Sequence, residues 1–146
     1  MFTRTERAEI ITAQLVSLLW SEGEEYDETG EFTGNTWDEL YTADDATLEL
    51  RAKLWDELTY LASGEITIEL WEALKTYRDH FGADWTGQFG QDLALTRNHH
   101  GAGFWDRYLG DAGDVLTDWA HSLGTLNVFH GHDSIHSEWN GMFHAE

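Results

Sequence analysis

The chain has 146 residues and a formal net charge of −20, with 28 Asp and Glu against eight Lys and Arg. That length suits one domain, and a charge this negative opposes direct binding to nucleic acid or to an anionic membrane. Cysteine is absent, which excludes a disulfide frame and a thiolate metal site, while an aromatic content of 14 % supplies core material that a disordered acidic chain lacks.

In chain order, Thr3 and Glu6 fit a capping box for a first helix over about 3–20, with Ile11, Leu15, Leu18 and Leu19 as its apolar stripe and Gly23 as its stop. Residues 21–36 hold three glycines and six acids without periodicity, and are expected to form an acidic loop. Thr36 and Glu39 fit a second capping box beside Trp37 and Leu40. A helix follows over about 45–62, with Leu50, Leu54, Leu58 and Leu61 on one face and Gly64 at its end. Ile66, Leu70, Leu74, Tyr77 and Phe81 mark another over about 67–80, closed by Gly82. Beyond Gly82 the runs shorten. Leu93 to Thr96 is expected as a strand, Ala112 to Leu123 as a helix, and Leu126–His130 with Ser134–Trp139 as a β-hairpin turning at 131–133. The fold class is therefore α+β: an acidic helical first half and a small antiparallel sheet, the C-terminal hairpin plus one strand, in a single domain over 1–146.

Charge is concentrated rather than spread. Ser21 to Glu72 holds sixteen of the 28 carboxylates, opposed only by Arg51 and Lys53. Acids three or four apart on a helix lie about 5–6 Å from each other, and DNA phosphates recur about every 3.4 Å of rise along one strand. Glu22, Glu24, Glu25, Asp27, Glu28, Glu31, Asp38, Glu39, Asp44, Asp45 and Glu49, with Trp37 as an aromatic anchor, are thus expected to bind a partner by imitating a phosphate track. The partner would be the basic DNA-binding cleft of another protein. Salt adaptation also enriches acids, but it usually distributes them evenly.

The most distinctive text is Leu95-Thr96-Arg97-Asn98-His99-His100-Gly101-Ala102-Gly103-Phe104-Trp105-Asp106-Arg107. Two readings of it are open: a site in which Arg97, Asn98, His100 and Asp106 surround a glycine-opened backbone, or a tight corner in which Arg97 pairs with Asp106 under Phe104 and Trp105. The segment resembles a motif in small, largely uncharacterised proteins of bacteriophages that infect actinobacteria, where a similar string precedes a helix and a closing hairpin. The resemblance covers about 92–137, with His99 where the phage pattern usually has glycine. It implies a phage origin and no known activity.

His121, His130, His132, His136 and His144 cluster late. His130 and His132 would share a strand face, which suits chelation, and His136 would join them across the hairpin. The string resembles the His-x-His-x-Asp-His motif of metallohydrolases but departs from it: Asp133 comes one place early and the last histidine one place late. No metal or other cofactor is expected. No Gly-x-Ser-x-Gly elbow occurs, and the acids are too many to single out a catalytic pair; the chain is read as no enzyme.

Together these features point to an acidic DNA-mimic inhibitor of a host DNA-processing enzyme: uracil-DNA glycosylase, a restriction enzyme or a CRISPR effector. Protein inhibitors of uracil-DNA glycosylase combine strong acidity with a Glu-Ser-Ile strand start, which Asp133-Ser134-Ile135 resembles. The alternative is a phage structural or interaction protein with an acidic solvated face. No apolar run approaches the roughly 18 residues of a membrane span and no signal segment opens the chain, so the expected location is the cytoplasm of an infected bacterial host.

Overall fold

The computed structural model describes residues 2–63, 65–132 and 139–146. The elements are α1 (Arg4–Ser21), β1 (Glu24–Tyr26), β2 (Phe32–Thr36), α2 (Trp37–Leu40), α3 (Leu48–Ala62), α4 (Ile68–Phe81), α5 (Trp85–Arg97), α6 (Asp111–Ser122), β3 (Val128–His132) and β4 (Trp139–Ala145). Short 3₁₀ turns cover Ala43–Asp45, Gly82–Asp84 and Phe104–Asp106. The class is α+β, with helix dominant.

Local signals set the helix starts. Glu6 N–H donates to Thr3 Oγ1 and Thr3 N–H to Glu6 Oε1, each at 3.0 Å, the reciprocal box that starts α1. Thr47 and Thr67 cap α3 and α4 by accepting from Leu50 and Leu70 N–H, both at 3.2 Å. The helix expected from about residue 45 therefore begins at Leu48, because a 3₁₀ turn and a bridge from Ala46 to Phe143 take up the residues before it. Gly64, its expected end, lies outside the described residues. Gly82, at φ +62°, closes α4 as expected.

The largest departure is α5. Residues 93–96, expected as a strand, form its last turns. They lie at the middle of the molecule, where α5 touches α1, α4 and α6. Phe89 and every residue from Asp92 to Arg97 are buried, so the last turns of this helix have no solvent face and no 3.6-residue signature. Gly90, which reads as a breaker, sits where α1 crosses: a Cβ there would lie 2.4 Å from the Ile10 carbonyl oxygen.

The distinctive motif is the hub of this core. Arg97 is fully buried and pairs with Glu57, not with Asp106: Nη1 donates to Oε1 at 2.8 Å and Nη2 to Oε2 at 2.9 Å. Its Nε and Nη2 also donate to the Gly124 and Leu123 carbonyls beyond α6. Asp106 instead accepts from Gly103 N–H in its own 3₁₀ turn. Asn98 clamps Leu126 from both sides, accepting from its N–H at 2.7 Å and donating to its carbonyl at 2.9 Å. Gly103 is needed because a Cβ would fall 2.2 Å from Thr96 Oγ1, the acceptor of Phe104 N–H; Gly101 meets nothing within 4 Å and has no positive φ. These residues build a corner, the second of the two readings, with Glu57 in the place expected for Asp106. Nearby, buried Asp92 accepts from Tyr77 Oη at 2.6 Å and from Arg107 Nη2 at 2.7 Å; burial raises the Tyr77 pKa well above the usual phenol value.

Among the described residues the strands form two separate antiparallel pairs, β1 with β2 and β3 with β4. The expected acidic loop at 21–36 is the first pair. In the second, Phe129 faces His144 and His130 faces Phe143, and the described returning strand is 139–145; of the expected 134–139, residues 134–138 lie outside the described residues. Among the described residues no helix is long and apolar enough to cross a membrane.

Candidate functional site

The first hairpin is built by alternation. Glu24 and Tyr26 face out, and Glu25 between them faces in and is buried. The turn hangs on Asp27, whose Oδ1 accepts from Thr29 N–H at 2.8 Å, Thr29 Oγ1 at 2.6 Å and Glu31 N–H at 3.0 Å. These donors, the Thr29 hydroxyl foremost, hold the Asp27 carboxyl below its ordinary range. Gly30, at φ +84°, lets the chain reverse.

On the outer face Tyr26 and Phe32 form a cross-strand pair with ring centroids 6.3 Å apart, 57 % and 51 % exposed. Tyr26 Oη donates to Glu24 Oε2 at 2.8 Å, and that bond to an anion raises the phenol's pKa. Glu24, Asp27, Glu28, Glu31, Asp38, Glu39, Asp44 and Glu49 are all exposed across the hairpin, α2, the 3₁₀ turn and the start of α3. Two of these anions are held by Thr36 itself: Asp38 Oδ1 accepts from Thr36 Oγ1 at 2.6 Å and Glu39 Oε2 from Thr36 N–H at 3.3 Å. The surface is a set of carboxylates around two half-exposed rings, carried on ordered backbone.

Four expected residues do not belong to that surface. Trp37 is core, 8 % exposed, stacked on Tyr41 at 6.1 Å, because α2 turns its first residue inward. Glu22 is half-buried against Asn98, and burial raises its pKa. Asp45 is partly buried, its Oδ2 accepting from Thr42 N–H at 2.8 Å. Glu25 takes part in a part-buried chain of its own: His130 Nε2 meets its Oε2 at 2.5 Å, and His130 Nδ1 bonds the Tyr41 hydroxyl. Trp37 packs over the same imidazole with centroids 5.0 Å apart. A carboxylate only accepts, so Nε2 carries the proton that faces Glu25.

This Glu25–His130–Tyr41 chain is absent from the sequence-based reading, which places His130 with His132 and His136. The signal was the Glu24-Glu25-Tyr26 alternation ahead of the Asp27–Gly30 turn, flanked by aromatics at 26 and 32. Its effect is to pin the acidic hairpin to the C-terminal ribbon. His121 lies instead against His99, ring centroids 4.4 Å apart, and His144 bonds Thr47 Oγ1 through Nδ1 at 2.7 Å. Among the described residues no group of three or more His, Asp or Glu is placed to hold a metal. The His132 side chain, His136 and the tripeptide Asp133-Ser134-Ile135 lie outside what is described.

Comparisons with protein-family models, with curated proteins and with solved structures find no match to this chain.

Proposed function

We propose that the protein is a non-enzymatic, DNA-mimicking inhibitor that occupies the basic DNA-binding cleft of another protein. The observation that carries this reading is the outer face of the first hairpin, where Tyr26 and Phe32 stand half-exposed among Glu24, Asp27, Glu28 and Glu31. A cleft that grips DNA presents cations to phosphates and apolar or aromatic groups to bases. A surface of fixed anions around two rings is complementary to both. Pinning by His130 supports the reading, since a preordered hairpin loses less freedom on binding than a floppy acidic loop.

The test is competition. Purified DNA-processing enzymes, uracil-DNA glycosylase first on account of Asp133-Ser134-Ile135, are titrated with the protein with and without duplex DNA. Binding should fall steeply between about 50 and 500 mM salt, as exposed charges are screened over a Debye length of roughly 10 Å at 0.1 M. DNA should displace the protein. A ternary complex of enzyme, DNA and this protein would overturn the proposal.

A further inference from the structure

The start of α3 and the C-terminal ribbon enclose a groove on the side of the ribbon that faces away from the core. Along β3 and β4, Val128, Phe143 and Ala145 point into the core, and Phe129, Gly131, Met142 and His144 alternate with them. Those four, with Thr47, Leu48, Glu49 and Glu146, line a cavity of about 410 Å³. That lies within the roughly 300–1,000 Å³ of ordinary ligand clefts. The lining is partly apolar, with Phe129 37 % and Leu48 79 % exposed. The rim is anionic, with Glu49 and Glu146 both exposed.

The histidine within it is already committed. Thr47 Oγ1 accepts from Leu50 N–H at 3.2 Å, which leaves its own proton for His144 Nδ1 at 2.7 Å. Nε2 then carries the ring proton and lies 3.3 Å from Glu146 Oε1. His144 therefore holds the Glu146 carboxylate at the rim, and Phe129 packs against the imidazole at 5.2 Å, near edge-on. An imidazole engaged on both nitrogens does not serve as a metal ligand.

We propose that this groove is a receptor for an arginine side chain of the partner protein. An aliphatic stem suits Leu48 and Met142, a flat guanidinium suits the Phe129 face, and its donors fan toward Glu49 and Glu146. Lysine matches less well, because its ammonium is a compact, strongly hydrated charge. The assignment rests on the reading above for the kind of partner, a protein rich in exposed cations, and adds a pocket that selects among them.

The probe is acetyl-Gly-Arg-Gly-amide, titrated into the whole protein at low salt and followed by NMR at the Met142 and Leu48 methyl groups. The citrulline peptide is the neutral isostere. Saturable shifts at these methyls with arginine and none with citrulline are expected. Glu49→Gln with Glu146→Gln should weaken binding roughly five-fold, two exposed ion pairs at about 0.5 kcal/mol each. Glu69→Gln with Glu72→Gln removes the same charge from α4, away from both the groove and the hairpin, and should leave the affinity unchanged. Equal shifts from citrulline, or equal losses from the two double variants, would refute the pocket and leave the DNA competition of the hairpin as an independent result. Failure of that competition with the pocket titration intact would remove the mimicry alone.

Discussion

The Glu25–His130 contact gives a prediction whose size follows from the structure. Replacing His130 by alanine removes the proton donor from Glu25, a buried carboxylate, and takes away the imidazole that packs against both Trp37 and Tyr41. Stranding a buried polar group costs about 1–3 kcal/mol, with more for a charged one, and loss of the ring's packing adds to it. His130 retains 35 % side-chain exposure, so solvent offsets part of the loss. The net expectation is about 3 kcal/mol, a fall in melting temperature of roughly 6–12 °C for a chain of this size. Glu25→Gln keeps an acceptor for Nε2 and should cost about 1 kcal/mol. The two variants are compared by thermal unfolding and by hydrogen exchange of the amides over 24–36. In His130→Ala those amides should exchange faster than those of α5, since the lost contact is the hairpin's tether. An unchanged melting temperature with unchanged exchange would refute the tether and leave the hairpin ordered by its own turn.

Arg97→Met should be among the most damaging substitutions, at about 3–5 kcal/mol, since it strands Glu57 and two carbonyls beside a fully buried site; equilibrium denaturation measures it. Gly90→Ala should cost about 1–3 kcal/mol by forcing α1 from α5, and Gly101→Ala should change the melting point little. For Glu22, burial raises the folded-state pKa above the unfolded value, so the native state binds the proton more tightly and the residue lowers stability as pH rises from the ordinary carboxylate range through the folded pKa. Glu22→Gln should therefore stabilise the protein at pH 7, with Asn98 still supplied an acceptor, and the gain should vanish in acid. Asp27 runs the opposite way: its depressed pKa contributes stability that is present above the ordinary carboxylate value and is lost as pH falls through the folded pKa.

Much of the fold is legible in the sequence because it is local. Thr3 with Glu6, the leucines of α3 and Gly82 act within one or two turns, and neighbouring residues carry the whole signal. The acidic composition likewise places an anionic surface over 24–49 without any knowledge of packing. Burial from all sides is not local. Leu93 to Thr96 read as a strand because the last turns of α5 have no solvent face to print a period, and Gly90 is explained only by α1, some eighty residues earlier, where Ile10 and Ala13 crowd it. Pairings between charged residues are decided the same way. Arg97 finds Glu57 rather than Asp106, and Glu25 leaves the acidic belt to meet His130, because desolvated charges take whichever partner the packed elements bring within reach. Composition determined how negative the chain is; tertiary structure alone decided which carboxylates face solvent and which hold the molecule together.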